Sequence, residues 1–122
     1  MLRTLLAAAL AALASPALAQ RLAADVDCKP TPHDLVYDCR IALMEAASRK
    51  PVVGADLSLG ADMPSMPMAH NVKPVKAKPA QTPGQYTARI ELEMYGEWAL
   101  KLNVRAPVRD LIVKKIELRE RP

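Results

Sequence analysis

Apolar and polar residues alternate along most of this chain. Leu35, Tyr37, Cys39, Ile41 and Leu43 fall on one side of an extended backbone, with Asp38 and Arg40 on the other. Val53, Ala55, Leu57 and Leu59 repeat the pattern against Asp56 and Ser58. Tyr86, Ala88, Ile90, Leu92 and Met94 do so against Thr87, Arg89, Glu91 and Glu93, and Trp98, Leu100, Leu102 and Val104 against Lys101, Asn103 and Arg105. A period of two marks a strand with one buried face in an antiparallel sheet. Three weaker strands flank these. Residues 22–28 can pair with the strand that follows, 71–77 contain Pro74 and suit only an edge, and 110–118 are rich in Leu, Ile and Val. Turn signals separate the segments: Lys29-Pro30-Thr31-Pro32, Ser48 to Pro51, Thr82-Pro83-Gly84, Tyr95-Gly96 and Ala106-Pro107. The pattern predicts an all-β fold, an immunoglobulin-like antiparallel β-sandwich of about seven strands. The Cys…Trp…Cys spacing of true immunoglobulin domains is absent, and no long helix or internal repeat is visible.

If each strand reverses the one before it, successive loops alternate between the two ends of the sandwich. Loops 29–34 and 61–70 and the turn at 95–96 then share one end, which brings His33, Met94 and Trp98 near residues 61–70. The loops at 45–51, 78–85 and 105–109 occupy the other end.

One stretch breaks the alternation: Asp62-Met63-Pro64-Ser65-Met66-Pro67-Met68-Ala69-His70. Three of the six methionines fall within six consecutive positions there. A core segment would not normally carry Pro64 and Pro67, which remove backbone donors and fix φ. The composition predicts a stiffened loop that displays thioethers. Three thioethers and an imidazole form a soft donor set, which favours Cu(I). Thioethers have no proton to lose, so their affinity survives mild acid better than that of thiolate or imidazole. Extended backbone would put Met66, Met68 and His70 on one side. A polyproline-like backbone would put Met63 and Met66 on one side. Met66 belongs to both sets. The candidate ligands are Met63, Met66, Met68 and His70, with Met94 in second place. The alternative is that the methionines cap one end of the core, with His70 exposed and Met94 packed inside.

Charge and cysteines narrow the setting. Met1-Leu2-Arg3, a Leu/Ala run and Ala17-Leu18-Ala19 compose a cleavable secretory signal over 1–19, with a single domain over 20–122. That implies a periplasmic protein that does not span the membrane once the signal is removed. Residues 1–19 hold only Arg3 among the charges, so sixteen cations then face thirteen anions, a net +3. That balance is no nucleic-acid footprint, and the run Lys73, Lys76, Lys78 reads as protection of an edge strand. Cys28 and Cys39 are the only cysteines, and in an oxidising compartment they are expected to pair as one disulfide.

No G-x-S-x-G, H-E-x-x-H or phosphate-binding glycine loop occurs. Glu91 and Glu93 sit on a polar strand face and read as solvated surface. The expectation is a binding or delivery protein and not an enzyme.

An ordered series of motifs resembles the YtkA-like domain family, to which FixH-type proteins are related. The residues are Gly54-Ala55 to Leu59, Met63-Pro64-x-Met66-Pro67-Met68-x-His70, Pro83-Gly84-x-Tyr86, and Leu92-x-Met94-x-Gly96-x-Trp98-x-Leu100. The resemblance covers about residues 50–105 and leaves the cysteines outside. It implies a small extracytoplasmic β-sandwich with a role in copper handling, FixH-type members being linked to maturation of haem-copper respiratory oxidases. Two functions stand side by side. One is a Cu(I) chaperone or buffer, exchanging the ion with a periplasmic or membrane protein that donates or receives it. The other is a module that binds a protein partner through the same loop without metal. Mass spectrometry of the exported protein should find Gln20 at the mature N-terminus, and retention of residues 1–19 would reject cleavage.

Overall fold

The computed structural model describes residues 21–120, so the predicted signal and Gln20 lie outside the described residues. The strands are β1 (Leu22–Pro30), β2 (Val36–Glu45), β3 (Asp56–Asp62), β4 (Asn71–Lys76), β5 (Lys78–Pro79), β6 (Gln85–Glu91), β7 (Gly96–Ala106) and β8 (Asp110–Leu118). They form two antiparallel four-stranded sheets, ordered β1-β2-β6-β5 and β4-β3-β7-β8. With β4 taken as the added strand C′, these read A-B-E-D and C′-C-F-G, the immunoglobulin-like order. No helix occurs among the described residues.

The alternating residues fill the space between the sheets. Tyr37, Cys39, Ile41 and Leu43 from β2 and Tyr86, Ala88 and Ile90 from β6 meet Leu57 and Leu59 from β3 and Trp98, Leu100, Leu102 and Val104 from β7. Burying a large apolar side chain is worth about 1.5–3 kcal/mol, so these central strands carry most of the stabilisation.

The structure departs from the periodicity in three places. There are eight strands, because β4 leaves one sheet at Ala77 and the chain joins the other as the two-residue β5. The Ala77 N–H still donates to the Leu57 carbonyl at 2.8 Å, so the crossing residue belongs to both layers. Second, β3 begins at Asp56, and Val53 is exposed in the loop before it. Third, β6 ends at Glu91, so Met94 lies in the turn beyond it and not on the strand.

Edges are guarded by chemistry that resists further pairing. β4 carries Pro74 and β5 ends in Pro79, and neither proline can donate to a neighbouring strand. On the opposite side the sheets are clipped together. One Asp110 carboxylate oxygen accepts the N–H groups of Arg21 and Leu22 at 3.0 and 2.9 Å.

Two local constraints fix the loops. Cys28 and Cys39 are direct partners in the β1–β2 ladder and form a disulfide, their Cα atoms 4.0 Å apart. A link closing so short a loop is worth roughly 2–3 kcal/mol in the chain-entropy model. Unlike the inter-sheet bridge of immunoglobulin domains, it joins neighbours within one sheet. The second constraint is the buried hydroxyl of Tyr86. It donates to the Val52 carbonyl at 2.7 Å and accepts the Ala55 N–H at 2.9 Å, which sets the path into β3. Tyr86→Phe keeps the ring and strips both backbone groups of their partner. It should cost about 1–3 kcal/mol in chemical denaturation, and a midpoint equal to wild type would show that these bonds contribute nothing net.

Candidate functional site

The loop from Met63 to His70 is neither extended nor polyproline-like. It winds through consecutive turns. The Met66 N–H donates to the Met63 carbonyl at 3.0 Å, and the N–H groups of Ala69 and His70 both donate to the Met66 carbonyl at 3.2 Å. The Met63 N–H closes the loop on the His70 carbonyl at 3.2 Å. Pro64 fits this winding because it stands where a first turn needs no N–H donor.

Winding changes which side chains share a face. Residues three and four apart come together on a turn, and residues two apart do not. Met66 therefore stands one turn from both Met63 and His70, whereas Met68 is two residues from each of Met66 and His70. Exposure rises along the loop: Met63 is 3% exposed, Met66 38% and Met68 96%. The extended arrangement, with Met68 beside Met66 and His70, does not form. Local turn bonds outweigh the extended preference because the loop must bring β3 back onto its neighbour β4 within a few residues.

The expected sharing of one sandwich end holds for the methionine loop and the turn after β6. His70 lies against that turn. Its ring sits edge-on to the Trp98 indole, with centroids 6.4 Å apart, and its Nδ1 is 2.5 Å from Glu93 Oε2. An ionised carboxylate can only accept, which assigns the shared proton to Nδ1 and leaves Nε2 with the free lone pair when the ring is neutral. Below, the indole N–H of fully buried Trp98 donates to the Met94 carbonyl at 3.0 Å. Met94 itself is partly buried and packs against the core. Gly96, with φ of +134°, lets the turn close over Met63. A Cβ there would stand 3.0 Å from the Met63 methyl. At the start of the loop, Asp62 pairs with Lys101 on β7.

The loop before β2 reaches the same end, since the Leu92 N–H donates to the Leu35 carbonyl at 2.8 Å. His33 is exposed on it. Its backbone N–H and carbonyl both bond the Thr31 hydroxyl at 3.2 Å.

The arrangement offers thioether sulfur and one imidazole nitrogen. Among the described residues, no three His, Cys, Asp or Glu side chains gather as a metal cage. Met66 and His70 stand one turn apart, Met63 is buried in the core beside Gly96, and Met94 lies in the turn after β6. Glu93 is the residue that the alternation hides. On a strand it would be solvated surface, but it falls past the end of β6, where the chain turns and brings its carboxylate to His70. Only the shared sandwich end hinted at this.

A two-sheet β-sandwich with a turn-wound Met and His loop at one end is the kind of protein this geometry defines. The model of the YtkA-like family matches residues 25–103, and the chain belongs to that family. The match reaches back beyond residue 50 to take in most of β1 and all of β2, so Cys28 and Cys39 lie inside it. No curated protein matches the chain.

The Glu93 contact predicts an imidazole state that can be read without any metal. In nitrogen-15 NMR, neutral His70 should be the Nδ1–H tautomer, and Glu93→Ala should release it to a mixture. A spectrum of His70 unchanged by Glu93→Ala would contradict the assignment.

Proposed function

We propose that this protein binds Cu(I) at the methionine loop and serves as a periplasmic copper chaperone or buffer. The observation that supports this reading best is that Met66 and an oriented His70 stand one turn apart on a wound loop. A soft cation seeks thioether and imidazole donors, and the loop presents both at its surface. Glu93 engages Nδ1 and leaves Nε2 free, the arrangement by which outer carboxylates commonly orient metal-binding histidines. Met66 and His70 are the principal ligands, with Met63 and Met94 as the thioethers nearest below. Met68, almost wholly in solvent, takes the ion from a donor or passes it to an acceptor. The acceptors that suit such a protein are copper-requiring proteins of the membrane or periplasm, among them respiratory oxidases during maturation. The function is binding and transfer, not catalysis.

The same exposure of Met68 favours a second reading, in which the loop is an adaptable apolar contact for a protein partner and no metal is involved. Cu(I) separates the two, because a ligand that binds the folded state raises its melting temperature.

The test is a Cu(I) titration under reducing conditions against a competing chelator, followed by the emission of Trp98, the only tryptophan in the chain. Bound copper beside His70 should quench it. Met66→Leu and His70→Ala should each weaken binding by at least about tenfold, the lower end of what even an outer-shell change costs a metal site. Met66→Leu conserves volume, so the metal-free protein should lose less than ~1.5 kcal/mol. Wild-type affinity in the double variant would reject this loop as the site.

A further inference from the structure

The outer face of the sheet β1-β2-β6-β5 holds a groove of about 710 Å³, far from neutral in charge. Lys29, Arg40, Lys76, Lys78 and Arg89 line it, against only Asp27 and Asp38. That local excess of three positive charges equals the net charge expected of the whole exported chain, so the rest of the surface is balanced. The register explains how the cations collect. Lys29, Asp38 and Arg89 are cross-strand partners in one row, and Asp27, Arg40, Thr87 and Lys78 form the next.

One pair in the groove is already satisfied. Arg89 holds Asp38 through two hydrogen bonds of 2.7 and 3.0 Å, and these keep the Asp38 carboxyl below its ordinary range. Among the described residues, the four ion pairs involve none of Lys29, Arg40, Lys76 and Lys78. Edge protection accounts for a lysine on β4 or β5. It does not account for Arg40 on the central strand β2, where there is no edge to protect.

We propose that this groove docks an acidic, extended segment of a partner protein. Two spacings favour that occupant. Same-face rows of a sheet lie two residues apart, roughly 7 Å, and carboxylates on alternate residues of an extended peptide repeat at about the same distance. A peptide lying along the strands thus sets successive carboxylates on successive rows. Laterally, Lys29 on β1 and Lys78 on β5 stand on the two edge strands, three strand spacings or about 14 Å apart. A single chain fits between them and reaches the central Arg40. A flat anionic bilayer would rest on the rims and leave the centre unused. The surface is separate from the methionine loop, so the proposal does not depend on copper.

The test uses a fluorescein-labelled peptide of alternating Glu and Thr, read by anisotropy against the purified protein. Wild type should bind it, more weakly as salt rises. Lys29→Glu with Lys78→Glu should weaken binding by about tenfold or more, since like charges then face each other. Lys29→Gln with Lys78→Gln should give a smaller loss and guards against misfolding of the reversal. Lys50→Glu with Lys115→Glu changes the net charge equally at exposed sites outside the groove and should bind like wild type. No binding by wild type, or an equal loss in the Lys50 and Lys115 control, would overturn the proposal. So would binding as tight to phosphatidylglycerol vesicles or to a single-stranded oligonucleotide as to the peptide, because the groove would then read negative charge alone.

Discussion

A buried tryptophan carries one polar atom, and that atom needs an acceptor. In this protein the Trp98 indole finds it in the Met94 carbonyl, four residues back along the chain. Leaving an N–H unpaired in a core costs about 1–3 kcal/mol, enough to decide the shape of a short turn. The turn from β6 to β7 is therefore held against the core and not free to splay. Everything at that end of the sandwich is built on it. Glu93 is carried to where it meets His70, Gly96 admits the Met63 methyl, and the methionine loop settles across the top. The surface chemistry rests on a hydrogen bond that no ligand would touch.

The loop and the turn also divide labour by depth. Met63 is a core residue, which satisfies the bland reading of a methionine as gap filler. Met66 and Met68 are not, and nothing in the packing requires sulfur at either position. One segment thus has its foot in the hydrophobic interior and its crest in water. Such a segment is held in place by burial at one end while its outer donors keep their freedom to rearrange.

The strands were legible because the alternation of Tyr37 to Leu43 and of Trp98 to Val104 has no other economical explanation. The edge position of residues 71–76 followed from Pro74 alone. The turn-wound loop was not legible. Pro64 and Pro67 argue equally for extended and for turning backbone, and the winding comes from hydrogen bonds that close the loop between β3 and β4. The Tyr86 bonds, the move of the chain between sheets at Ala77 and the Glu93 contact were hidden for a related reason. Each joins residues more than about twenty positions apart, and periodicity speaks only of neighbours. The cationic groove was hidden by the opposite effect. Its charges are scattered over five strands, and the run at 73–78 drew attention to an edge rather than to a face.

The disulfide has a meaning beyond the stability of the β1–β2 ladder. Sulfur in a thiolate is a far stronger ligand for soft ions than sulfur in a thioether, and sulfur in a cystine is barely a ligand at all. While Cys28 and Cys39 remain joined, the only sulfur donors this chain presents are its methionines. Were the bond reduced, two thiols would lie side by side on the opposite wall of the sandwich from the methionine loop's strand β3. On the proposed Cu(I) reading, oxidation of that pair would leave the ion with thioether and imidazole donors, which release it more readily than thiolates would.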